Sequence, residues 1–236
     1  MITGLYTAAS GMVAYQTKLD TLANNLANVE TSGFKADILP IESSVSSTTD
    51  VAQAGQSGVV YVGQPRLDPT PGPLRTTSNP LDLALVGPGL FVVETPQGER
   101  YTRAGQFTRD AQGFLATADG HRVLGTGGPV TVPDTGLQVA EDGTITGGGR
   151  LRIVAGPDAP GLVKEGLNLY APAEGAPAPG ELTTPRVLQG QFEASNVSPV
   201  LAMVEMLATL RSYEAYQKTM QSLDGTLAQT NELGRV

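Results

Sequence analysis

The sequence contains no cysteine and no tryptophan, a single histidine, and only 5% aromatic residues among 236. Without Cys there is no disulfide framework, no thiol nucleophile and no thiolate zinc site. One His leaves almost no material for a His-based metal site or proton relay. Basic residues are scarce as well. Lys and Arg number 15 against 23 Asp and Glu, a formal charge of −8 with no basic run, the wrong sign for a nucleic-acid binder. Long hydrophobic runs are missing. The longest, Leu83 to Val93, is interrupted by Gly87-Pro88-Gly89 and is too short to cross a bilayer. The start, Met1-Ile2-Thr3-Gly4, lacks a basic region, and Gln16, Lys18 and Asp20 interrupt the next stretch, so a cleavable secretory signal is not expected. Composition therefore predicts no catalytic, cofactor or metal residues, no membrane insertion and no nucleic-acid partner.

Glycine and proline are plentiful, and their distribution divides the chain. Of 46 such residues, two fall in residues 1–32, three in residues 197–236, and 41 between. Helix interiors exclude them and turn-rich β structure needs them. The order expected is helix, β-rich middle, helix: an α+β chain with a discontinuous coiled-coil pair of terminal helices and an antiparallel β domain. The expected boundaries are residues 1–34 for the first helix, 35–70 for a connector, 71–190 for an outer β domain, and 191–236 for the returning helix.

In the first segment Ile2, Leu5, Ala9, Met12, Leu19, Ala23 and Leu26 recur at heptad-like steps, predicting a helix over about Thr3 to Asn28. In the last, Ser198 is a good N-cap and Pro199 suits the first helical position. Met203, Leu207, Leu210, Tyr213, Gln217, Met220, Leu223 and Leu227 recur at similar spacing. The assembly seam expected from these stripes is Leu5, Met12, Leu19, Leu26, Met203, Leu207, Leu210, Met220 and Leu227, pairing the two ends with each other.

The middle reads as short strands between turns: Leu81–Val86, Leu90–Glu94, Arg100–Thr102, Gln106–Arg109, Phe114–Thr117, His121–Leu124, Val130–Val132, Gln138–Ala140, Thr144–Thr146 and Leu151–Ala155. Ser43–Gln56 and Ala171–Gly180 read as linkers or loops. Three short matches to reactive or modified sites are decoys. Asp134-Thr135-Gly136 resembles an aspartic-peptidase signature but comes after Val132-Pro133 and has no second copy. His121 comes after the Asp119-Gly120 turn, and no nucleophile elbow accompanies it. Asn196-Val197-Ser198 is a formal glycosylation sequon better explained by helix capping.

Five blocks carry a resemblance. Leu22-Ala23-Asn24-Asn25-Leu26-Ala27-Asn28-Val29-Glu30-Thr31-Ser32-Gly33-Phe34-Lys35 is similar to the signature of the bacterial flagellar rod and hook axial proteins. Asn79-Pro80-Leu81-Asp82-Leu83-Ala84-Leu85 with Gly89-Leu90-Phe91, and Tyr101-Thr102-Arg103-Ala104-Gly105-Gln106-Phe107, come next in that family's order. So do Gly190-Gln191-Phe192-Glu193-Ala194-Ser195-Asn196-Val197 and the helix containing Tyr213, Glu214, Lys218 and Asp224. The family-motif positions of interest are Asn24, Asn25, Asn28, Gly33, Phe34, Lys35, Glu193, Ser195 and Asn196. Amides at a helix end suit backbone bonding, Gly33 suits a left-handed turn, and Glu193, Ser195 and Asn196 suit capping of the returning helix.

The resemblance implies a non-enzymatic subunit of the flagellar basal-body rod, in the periplasm, stacked with other rod proteins and copies of itself and transmitting torque to the hook. It implies export by the flagellar type III apparatus. Length and the Thr230-Asn231-Glu232-Leu233-Gly234 ending favour the proximal-rod kind, whereas the start and Ala9-Ser10-Gly11-Met12 lean to the distal-rod kind. The rival reading is a β-rich binding module for glycan or protein, oligomerised by its helices. It requires an aromatic-lined surface that the composition makes scarce.

Overall fold

The computed structural model describes residues 2–44, 59–133, 136–147, 149–156, 161–166 and 168–233. The Ser43–Gln56 linker lies mostly outside these residues, as do Asp134 and Thr135 of the peptidase-like motif and Gly234 of the C-terminal ending. The fold is α+β, with a helix at each end of an antiparallel β-rich middle. The chain forms two compact units. One comprises Met1–Ala27, Asp37–Arg66 and Ser198–Val236; the other comprises Asn28–Ala36 and Leu67–Val197.

In the first unit, helix α1 spans Ile2–Ala27 and helix α2 spans Pro199–Leu233. Pro199 occupies the first helical position as expected, and the Ser198 carbonyl accepts the first intrahelical bond, from Ala202 N. The helices run antiparallel. A Cβ on Gly4 would meet Leu223, one on Gly11 would lie 2.6 Å from the Tyr216 ring, and the Tyr15 and Tyr216 rings are 5.5 Å apart. Strands β1 (Asp37–Ile38), β2 (Ile41–Ser44), β3 (Val59–Val62) and β4 (Arg66–Leu67) come after α1 in the chain. β2 and β3 pair antiparallel with Ile41 opposite Val62, and β3 lies against α1.

The helix pair uses a stripe one residue out of phase with much of the expected one. On α1 the buried positions are Ala8, Gly11, Ala14, Leu22 and Asn25, while Leu5, Met12, Leu19 and Leu26 are half-buried. On α2 Ala202 and Thr209 are buried, and Met206, Tyr213, Tyr216, Met220, Leu223 and Leu227 are half-buried. Met203, Leu207 and Leu210 instead face water, at 51%, 58% and 41% exposure. Small residues let two helix backbones approach, and Gly11, where the Tyr216 ring leaves no room for a Cβ, is such a position.

The second unit holds the remaining strands: β5 (Leu74–Thr76), β6 (Leu83–Val86), β7 (Leu90–Thr95), β8 (Gly98–Thr102), β9 (Phe107–Arg109), β10 (Leu115–Thr117), β11 (Arg122–Gly125), β12 (Gly128–Pro129), β13 (Thr144–Ile145), β14 (Gly149–Arg150), β15 (Ile153–Val154), β16 (Leu162–Gly166), β17 (Leu169–Pro172), β18 (Arg186–Gln189) and β19 (Gln191–Glu193). Nine form one sheet in the order β16-β17-β8-β7-β11-β10-β9, with β12 on β11 and β15 on β7. Pairs β6–β18 and β5–β19 lie outside it.

Strand β7 organises the core because it is apolar on both faces. Phe91 and Val93 join Leu83, Phe107, Leu115, Val123 and Ile153 in the larger cluster. Leu90 and Val92 point the other way, to Tyr101, Leu124, Val154 and Tyr170. Period-2 alternation sends neighbouring residues to opposite faces, so both faces of this strand are covered. The expected strand Val130–Val132 is replaced by β12 and an isolated bridge between Thr131 and Phe114. Pro129 and Pro133 lack the N–H groups a continuous ladder needs. Gln138–Ala140 reduces to a bridge between Val139 and Ile145, and Leu151–Ala155 to β15 plus a bridge from Leu151. Strand β17 reaches Pro172, inside the expected loop Ala171–Gly180.

Candidate functional site

Gly33 shapes the chain's exit from α1. Its φ of +65° is left-handed, and a Cβ there would lie 2.4 Å from the Arg103 carbonyl carbon. Only glycine fits such a turn without strain. The turn places Phe34 and Lys35 inside the β unit, both almost fully buried. The Lys164 ammonium sits 3.9 Å from the centre of the Phe34 ring and donates to the Lys35 carbonyl.

Lys35 is the first of three charges that the fold buries together. Its Nζ donates to Glu193 Oε1 at 2.5 Å and to the Thr70 carbonyl at 2.8 Å. Arg103 Nε donates to Glu193 Oε2 at 2.6 Å. The other guanidinium nitrogens donate to the carbonyls of Gly89 and Leu85. Gly72 N completes the carboxylate's shell at 2.9 Å. Side-chain exposure is 2% for Lys35, 2% for Glu193 and 4% for Arg103. Burial pushes the Glu193 carboxyl up, but the Arg103 charge, the Lys35 bond, the Gly72 amide and the Arg103 bond outweigh it. They hold Glu193 below its ordinary value. Two buried cations share one carboxylate, and carbonyl dipoles take up the rest. Removing one partner from such a cluster costs about 3–5 kcal/mol.

The same segment carries a second clamp. Asn196 Oδ1 accepts from Ala36 N at 2.8 Å, and its Nδ2 donates to Asp68 O, Thr70 O and Thr70 Oγ1. Ser195 Oγ accepts from Val197 N, turning the chain just before α2. Glu193, Ser195 and Asn196 thus have partners other than the amides of the α2 first turn that capping anticipated. The sequon asparagine is engaged through both amide atoms. Gly33 N donates to the Glu193 carbonyl, and Asn168 Nδ2 to Ser32 O, at 2.6 and 2.5 Å.

The asparagines of the first motif do different work. Asn25 is buried within the helical unit, where its Nδ2 donates to Asp37 O and its Oδ1 accepts from Asp37 N, both at 2.9 Å. That two-way bracket ties the end of α1 to β1. Asn28 Oδ1 accepts from Thr31 Oγ1 in the turn after the helix, and Asn24 is exposed.

Sequence reasoning had no means of finding Arg103 as the third member of the cluster, since 90 residues separate it from Glu193. Its only signal was membership of the Tyr101–Phe107 block. Three motif blocks distant in sequence therefore meet at one buried carboxylate. Both Glu193 carboxylate oxygens are taken up by protein donors, Oε1 by Lys35 and Gly72 N and Oε2 by Arg103. Among the described residues no group of His, Asp and Glu could hold a metal ion, and no helix is long and apolar enough to cross a membrane.

Comparison with known proteins identifies the setting. Residues 5–35 match the family described as flagella basal body rod protein, and residues 84–147 match the flagellar hook protein FlgE/F/G D1 domain. Residues 188–233 match the C-terminal family of flagellar basal body rod FlgEFG proteins. The chain is 35% identical to the flagellar basal-body rod protein FlgF of Caulobacter vibrioides over 94% of each sequence. It is 33% identical to FlgG of Bacillus subtilis over the whole of both, and 33% identical to FlgF of Salmonella typhimurium over 97% of each. The chain belongs to the flagellar basal-body rod protein family.

As a rod-family protein it is a structural subunit of the flagellar basal body. The Lys35 and Glu193 motifs lie in or beside the two terminal family matches, at the points where the chain leaves α1 and approaches α2. The binding-module alternative finds no support in the fold. Tyr101, Tyr170, Phe91 and Phe107 are core residues rather than a recognition surface.

Proposed function

We propose that this rod subunit polymerises through its terminal helices with other rod proteins and with further copies of itself, in a helical stack that carries torque from motor to hook. A surface that meets a different surface on the next subunit does not close, so the stack grows. The observation that carries this reading is the apolar row Val200, Leu201, Met203, Val204, Leu207 and Leu210, all exposed on a helix whose other side is occupied by α1. Contiguous apolar surface of this kind marks a contact site.

On this reading residues 1–34 and 191–236 are the assembly segments, 35–70 the connector and 71–190 the β-rich body. The seam residues divide. Met203, Leu207 and Leu210 meet neighbouring subunits, whereas Leu5, Met12, Leu19, Leu26, Met220 and Leu227 hold the helix pair together. Delivery to the periplasm by the flagellar type III apparatus and an absence of catalysis belong to the same reading. Relatives of both FlgF and FlgG kinds match, and the FlgF role is the one this reading takes.

The test is Leu207→Asp in the native cell. The expected result is a folded protein with loss of swimming and basal bodies that lack a completed rod. A completed rod and normal swimming overturn the proposal.

A further inference from the structure

The residues leading out of α1 (28–36) and those leading towards α2 (191–197) contribute no member to either apolar cluster of the β unit. Polar bonds dominate their attachment. Glu193 takes Lys35, Arg103 and Gly72 N; the Glu193 carbonyl takes Gly33 N; Asn196 takes Ala36 N and reaches Asp68 and Thr70. Phe34, the largest apolar side chain among the residues after α1, lies under the Lys164 ammonium.

We propose that these two segments form a lock that opens and closes as one piece while the nine-stranded core stays folded. Opening a strand of the core puts apolar surface into water. Opening this lock instead returns three charges to water, and their hydration offsets much of what the ion pairs gave. Closing it brings together residues separated by 158 and by 90 positions, so its loop entropy is spent late, after the core has formed. No cysteine staples it shut. The openings of lowest free energy involve regions with these properties: few apolar contacts and attachments that water replaces. One carboxylate then governs both connections. With Glu193 seated, the exit from α1 and the approach to α2 are fixed together; with it unseated, both are released around an intact β core. The lock is independent of which neighbour α2 meets, so its failure and that of the assembly reading are distinguishable.

Native-state hydrogen exchange on the full chain tests this. The amides of Gly33, Ala36 and Gly72 report the lock, and those of Leu115 and Val130, bonded to Val130 O and Val123 O, report the core. In the wild type the lock amides are expected to exchange through an opening at least ten-fold more populated than core opening and less sensitive to denaturant. In Glu193→Gln they are expected to exchange about a hundredfold faster or more, with the core amides still protected. If the lock and core amides share one rate and one denaturant dependence in the wild type, or lose protection together in the variant, the proposal is overturned.

Discussion

Lys35 Nζ lies 2.5 Å from Glu193 Oε1, across 158 residues of chain, with both side chains shielded from water. A contact of that separation and burial converts two motifs near opposite ends of the sequence into one joint. The glycines and amides around it have the geometry the joint needs.

Acid should loosen the joint in a defined window. The Glu193 carboxyl is held below its ordinary value, so its contribution is present in full at neutral pH, begins to fall near the unfolded carboxylate value of about 4.3, and is lost as pH drops from there through the depressed folded value. Urea midpoints of the wild type should therefore drop more steeply below about pH 4 than those of Glu193→Gln. Parallel curves would show that Glu193 titrates alike in the folded and unfolded chains.

Gly105→Ala should be among the most damaging single-methyl additions. A Cβ there would lie 1.7 Å from the Leu83 carbonyl oxygen, and Leu83 N bonds the Gly105 carbonyl. The Gly105 segment and β6 must part, at about 3 kcal/mol or more. Gly120→Ala, with φ of +86° but nothing within 4 Å, should cost about 1–2 kcal/mol from backbone strain alone. Chemical denaturation of the pair separates steric clash from strain.

Gly11→Val should push α1 off α2. The added carbons fall on the Tyr216 ring, whose nearest atom is 2.6 Å from the ideal Cβ position. Val13→Ser, on the exposed side of the same helix, should change stability by under about 0.5 kcal/mol. Circular dichroism during thermal melting checks both, and equal melting curves would contradict the antiparallel contact described for the pair.

Asn25→Ala should detach the end of α1 from β1. It removes two bonds to the Asp37 backbone and leaves a part-buried N–H and C=O unpaired, at about 1–3 kcal/mol. Faster amide exchange at Asp37 is the expected signature.

Several features of the fold are legible in residue order alone. Glycine and proline avoid the two terminal segments, and the helices end within a residue or so of where Asn28 and Pro199 place them. The continuous apolar run at residues 90–93 marks a strand covered on both faces. Short, polar strands such as β16 and β19 are not legible, because two to five residues with charges carry no periodic signal and exist only through their partners. The phase of the helix stripe escapes sequence reading for a related reason. Bulk selects Met203 and Leu207, whereas packing selects Ala202 and Gly11, since close approach depends on small side chains.

By itself the sequence determined the α+β composition, the terminal helices, the family and the motif residues, because those depend on local preference and residue order. Only the tertiary structure decided that Lys35, Arg103 and Glu193 share one buried site and that Leu207 faces outward. Both are matters of which distant segments meet. That is settled by burial and pairing across the chain, and no local pattern of residues records it.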